Sequence, residues 1–132
     1  MALFHHVEDS KQLCELFSEI MKLFGHEVIS FSNGLKYIEY MEDEGNACPI
    51  AIFTDIDMPV MDGYEMIEKV ISRYPSRLIV VLSAHRDRTN VNEVHVFHHV
   101  DKPFNPAALE KLAKTLITKK LSLGLSADFL NV

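Results

Sequence analysis

Four short stretches carry side chains whose types could do chemistry together: Glu8 with Asp9, Asp55 with Asp57, Ser83, and Lys102. Asp55 and Asp57 stand one residue apart, straight after the apolar run "PIAIFT" (49–54), where charge is costly. Met58-Pro59 and Asp62-Gly63, two turn-forming pairs, follow. Three carboxylates gathered at one point repel each other and resist full ionisation. A divalent cation resolves that conflict. Hard oxygen donors with open water positions suit Mg²⁺, which takes one or two carboxylates plus phosphate oxygens. A lone hydroxyl and a lone ammonium can take the remaining oxygens of a phosphoryl group. A carboxylate nucleophile, a metal, a hydroxyl and a lysine together describe phosphoryl transfer to an aspartate, with Asp55 as acceptor.

That chemistry requires the four stretches to meet. "ALFHHV" (2–7), "EVISF" (27–31), "PIAIFT" (49–54), "RLIVVLS" (77–83) and "VFHHV" (96–100) have the composition of strands. The third and fourth are apolar without alternation, as in strands covered on both faces. Between them, apolar residues recur at helical spacing. Leu13, Leu16, Phe17, Ile20, Met21 and Phe24 form one stripe stopped by Gly25, and Leu35, Ile38 and Met41 a weaker one ending near Gly45. Met66, Ile67, Val70, Ile71 and Tyr74 form a third, stopped by Pro75. Residues 86–94 have room for a short fourth helix. Asn105 caps a last helix with Pro106 at its first position and Leu109, Leu112, Ala113, Leu116 and Ile117 inward. Five β–α units with doubly buried central strands call for a doubly wound α/β fold, a five-stranded parallel sheet with flanking helices. Ligands of such sheets sit beyond the carboxyl ends of the strands, where strand order reverses. Glu8 and Asp9, Asp55, Ser83 and Lys102 all fall where strands stop. Glu8 and Asp9 would also suit the start of the first helix, where anions favour the dipole.

The 132 residues, 48% hydrophobic and 24% charged, are one domain's worth of ordinary globular protein. The expected domain is 1–120, with 121–132 a tail or the start of a linker. A net charge of −6 argues against direct nucleic-acid binding by this chain. Cys14 and Cys48 lack metal-ligand spacing and are expected to be reduced, largely buried thiols of a cytoplasmic protein. "MALFHHVEDSK" is too polar for a signal peptide, and no run approaches membrane-spanning length. His5-His6 and His98-His99 sit in different strands, and neighbours along a strand point to opposite faces. The seven histidines are therefore expected to pack or hydrogen-bond singly rather than hold a metal.

From about Leu3 to Lys120 the chain resembles the receiver domain of two-component response regulators. The resemblance rests on "VEDS" (7–10), "DIDMPVMDG" (55–63), "VLSA" (81–84) and "DKPF" (101–104), in that order and strand context. It implies a flavodoxin-like strand order 2-1-3-4-5 and a Mg²⁺ ion held by Glu8, Asp9, Asp55 and the backbone carbonyl of Asp57. It also implies Ser83 bonding the phosphoryl group, Lys102 pairing with it, and a Lys102–Pro103 peptide that is typically cis. The implied donor is a phosphohistidine on a sensor histidine kinase or histidine phosphotransfer protein. The implied reader is a downstream protein target or an output domain missing from this stretch. Such a phosphoprotein is a signalling module, not a turnover enzyme on an external substrate.

Several positions depart from the family. His99 stands where tyrosine or phenylalanine usually swings inward on phosphorylation; it is either a titratable switch residue or a space-filling replacement. The Ser83-to-Lys102 stretch is a few residues short, and His95-Val96 replaces a small pair. These changes fall on the face through which the family signals, which favours as a second reading a receiver-like interaction scaffold with altered or lost switching. Asp57 and His85, two residues beyond Asp55 and Ser83, are expected to border the attacking water's path and set the phosphoryl lifetime. A haloacid-dehalogenase-type phosphatase also pairs two aspartates one residue apart. Its pair, however, follows the first strand of a larger chain.

Overall fold

The two unalternated apolar runs become neighbouring inner strands of one sheet. The structure, a computed structural model, describes residues 2–43, 46–83 and 96–123. β3 (Ala51–Asp55) and β4 (Ile79–Ser83) are buried at every position, as is β1 (Leu3–Val7). β2 (Glu27–Phe31) and β5 (His98–Asp101) form the half-exposed edges. The order is β2-β1-β3-β4-β5, with every pairing parallel. Strand order reverses between β1 and β3, and the registers Val7↔Thr54, Asp55↔Leu82 and Ser83↔Asp101 bring the strand ends to one edge. β3 starts two residues into the apolar run, which opens on Pro49, a residue with no N–H for the ladder. β4 and β5 likewise start at Ile79 and His98 rather than at 77 and 96.

Four helices are described: α1 (Lys11–Leu23), α2 (Gly34–Met41), α3 (Gly63–Arg73) and α4 (Pro106–Ser122). Each starts at a side-chain cap: Ser10, Asn33, Asp62 and Asn105 accept backbone N–H groups of the first turn. Ser10 takes Leu13 N–H at 3.3 Å, so the cap of α1 is neither Glu8 nor Asp9. α1 ends at Gly25, whose φ of +83° is open to glycine and strained for other residues. On one face of the sheet Phe17, Ile20, Leu109 and Leu116 of α1 and α4 pack against Phe4, Phe53 and Leu82. On the other, Tyr37, Met41, Met66 and Ile67 of α2 and α3 cover Val7, Ile52 and Ile79.

Three expectations are corrected. α2 buries Gly34, Tyr37 and Met41, leaves Ile38 partly buried against the same core and exposes Leu35; the Tyr37 hydroxyl bonds His5 Nδ1 (2.8 Å). Leu16 of α1 is exposed, the buried stripe being Phe17, Ile20 and Met21. Cys14, in the first turns of α1, and Cys48, in the loop before β3, are free thiols but only half-buried, outside both cores. The expected short helix at 86–94, and His85 before it, lie outside the described residues. No helix among the described residues is long and apolar enough to cross a membrane.

Candidate functional site

β1 carries Glu8 just past its end, and the side chain turns back into the sheet edge. Glu8 is buried and half held by the chain, since Oε2 accepts the Ser10 N–H at 3.1 Å. Asp9 beside it is exposed. Asp55, the last residue of β3, is also buried, and its Oδ1 accepts the Ile56 N–H at 2.8 Å. Carboxylate oxygens of Glu8, Asp9 and Asp55 all lie within 4.8 Å of one another. That donor set is hard, oxygen-only and anionic, the set a divalent cation such as Mg²⁺ takes.

Lys102 follows β5 and reaches this cluster from the far side. Its Nζ lies 2.6 Å from Glu8 Oε1 and 3.4 Å from Asp55 Oδ2. The Lys102–Pro103 peptide is cis, and Lys102 N–H donates to Ser83 O at 3.2 Å. Burial alone would lower the Lys102 pKa, but the hydrogen bond to Glu8 and the Asp55 charge overcome it and raise it. Glu8 is raised too. Its burial is the larger influence, opposed by the Lys102 hydrogen bond and reinforced by the nearby Asp55 charge. A carboxylate crowded in this way gains from any further cation brought within reach.

Ser83 ends β4, is buried, and stands in register with Asp101 beside the lysine. Asp57 is exposed in the loop after β3, and its carboxylate is not part of the acidic cluster. His99 is half-buried on β5. Glu8, Asp9, Asp55 and Lys102 therefore come together within direct contact, Ser83 lies on the adjoining strand end, and His99 lies further back on β5.

The loop after Asp55 is tighter than its turn residues suggest. Met61 N–H donates to Pro59 O (2.8 Å) and Gly63 N–H to Ile56 O (2.9 Å). Met58 and Met61 are buried in the core under α3, pinning the loop by its apolar side chains. Between them Val60 takes φ +71°, a conformation a β-branched residue adopts only under constraint, and is 74% exposed. Nothing in the sequence marked Val60, because the strain comes from the methionine anchors on either side.

The histidines form no metal group among the described residues. His5 faces α2, and His6 faces α1, stacked on Phe17 with centroids 4.2 Å apart.

Fold and pocket together define a doubly wound α/β protein with an acidic pocket and one lysine at its switch point. The receiver domain model of response regulators matches residues 4–114, and the chain belongs to that family. The regulatory protein VanRc of Enterococcus gallinarum is 24% identical over 115 residues, 86% of this chain and 48% of that protein. The chain thus spans about half the length of the curated relatives it matches. A receiver domain protein from Clostridium thermocellum superposes with a TM-score of 0.83 at 19% identity, covering 93% of this chain and 99% of that one. The response regulator TrrA of Thermotoga maritima, solved with Mg²⁺ and beryllofluoride, gives 0.77 at 24% identity, covering 88% and 99%. TrrA in complex with the histidine kinase ThkA gives 0.79 at 23% identity, covering 89% and 99%.

Proposed function

We propose that this receiver domain accepts a phosphoryl group on Asp55 from a phosphohistidine donor and changes conformation in response. The observation that carries the reading is the convergence of Glu8, Asp9 and Asp55 within 4.8 Å, with Lys102 Nζ 3.4 Å from Asp55 Oδ2. Asp55 Oδ1 is engaged by the Ile56 N–H, which fixes the carboxylate's orientation for in-line attack. An Asp55 oxygen forms the new P–O bond as the P–N bond of the phosphohistidine breaks, and the imidazole nitrogen leaves with the electron pair. Lys102 pairs with the phosphoryl oxygens and Ser83 hydrogen-bonds one of them. Glu8, Asp9, Asp55 and the Asp57 backbone carbonyl would hold Mg²⁺, which supplies charge stabilisation for the transferring group.

A sensor kinase or phosphotransfer protein is the donor under this reading, in line with the TrrA–ThkA complex, and a downstream protein or a further domain is the reader. Residues 1–120 are the phosphoaccepting unit. His99 is the residue assigned to the switch. Asp57 and His85 are assigned to the path of the hydrolytic water. Titration of Mg²⁺ and beryllofluoride followed by amide NMR tests the competence of the site and the conformational response together. The expected result is Mg²⁺-dependent shifts at Glu8, Asp55 and Ser83 that spread to β5. No response in the presence of both ions contradicts it.

A further inference from the structure

At the opposite, amino edge of the sheet lies a cavity of about 210 Å³, between α2, the middle of β1 and the approaches to β3 and β4. Its walls are largely flat rings: His5, Tyr37, Tyr40 and Tyr74. The His5 ring stands edge-on to Tyr37 and Tyr40, with centroids 5.4 and 5.6 Å away. Two polar atoms there are buried and lack a protein partner: His5 Nε2 and Arg77 Nε. His5 is only 2% exposed, and its Nδ1 is committed to the Tyr37 hydroxyl. Nε2 is therefore the atom left to meet whatever enters. An unmet polar atom at such depth is costly, and here two of them line one cavity.

The charge at this edge identifies that partner. Arg77 donates through Nη1 to the Cys48 thiol and lies over the Tyr74 ring at 4.6 Å, and among the described residues it has no ion pair. Among the described lining residues the one acid, Asp43, is exposed. A guanidinium over a ring, with Nε unmet and no ion pair among the described residues, suits a carboxylate. The volume, about seven waters' worth, admits a single ring with its acid group and little more.

We propose that this cavity binds a small ring-bearing carboxylate. Arg77 takes the carboxylate, His5 Nε2 adds a hydrogen bond, and Tyr40 flanks the ring. The site is separate from Asp55, lying at the other end of the same strands.

Benzoate is the probe. Titrated into the full chain and followed by amide NMR, it should bind saturably with a Kd of about 1 mM or tighter. The shifts should centre on His5, Tyr37, Tyr40 and Arg77. Acetate keeps the charge without the ring, and benzyl alcohol keeps the ring without the charge. Each should bind at least about tenfold more weakly, as should benzoate to Arg77→Gln. Benzoate binding that fails to saturate by about 10 mM, that acetate equals, or that Arg77→Gln retains overturns the proposal. The acetate and benzyl alcohol titrations use the unaltered chain, so a poorly folded variant does not remove the test.

Discussion

A Cβ added to Gly63 would lie 2.3 Å from the Asp55 carbonyl oxygen and 2.9 Å from Ile56 Cα. The first turn of α3 thus rests directly on the strand end that presents the central carboxylate. Ile56 Cδ1, at 2.8 Å, belongs to a side chain that can shift, but the two other obstructing atoms are backbone.

Gly63→Ala must therefore push β3 and α3 apart, which is overpacking by one methyl group. The expected loss is about 1–3 kcal/mol in urea unfolding. Asp55 should be displaced with it, so the beryllofluoride response should weaken beyond what stability alone explains. An alanine variant with wild-type stability would mean that the loop yields easily.

The second prediction concerns the Glu8–Lys102 pair, 2.6 Å apart and mostly shielded from water. Removing Lys102 leaves a buried carboxylate without its cation, and Glu8, already raised by burial, must rise further. A raised carboxyl pKa means that the folded state holds a proton the unfolded state releases. Stability of Lys102→Ala should therefore fall as pH climbs from about 4.5 through the folded value. In EDTA, its deficit against the wild type should reach about 3 kcal/mol at pH 8 and shrink towards pH 5.5. Urea midpoints at the two pH values decide, and a deficit independent of pH refutes the pairing.

A third concerns His6, fully buried, stacked on Phe17, with neither ring nitrogen hydrogen-bonded. Burial, and then the Lys102 charge, lower its pKa to about 3. The unfolded chain binds a proton below about 6.5 that the folded chain refuses, so stability drops as pH falls through that window. At pH 5 this should amount to about 2 kcal/mol. His6→Phe keeps the stacking and removes the titration. The gap between wild type and His6→Phe should widen from pH 7.5 to pH 5; parallel unfolding curves would contradict the assignment.

Much of the fold could be read beforehand because its signals are local. The unbroken apolar runs mark β3 and β4, Asn105-Pro106 marks the start of α4, and the acids at strand ends mark the edge where they meet. What could not be read depends on contacts distant in sequence. The burial of Tyr37 goes with its bond to His5, 32 positions away, and the Glu8–Lys102 pair spans 94. Lys120 lies on the buried side of α4, a placement that its charge argues against. Its aliphatic stem can lie along apolar surface, which residue type alone does not reveal. Val60 is strained by its neighbours' anchoring and not by its own identity.

The central claim is that Asp55 carries the phosphoryl group with a divalent ion beside it. Incubation with acetyl phosphate, followed by intact-protein mass spectrometry, tests this most directly. The wild type should gain one phosphoryl group with Mg²⁺ present and none in EDTA, and Asp55→Asn should gain none in either. Phosphorylation that survives Asp55→Asn, or that ignores the removal of Mg²⁺, would contradict it.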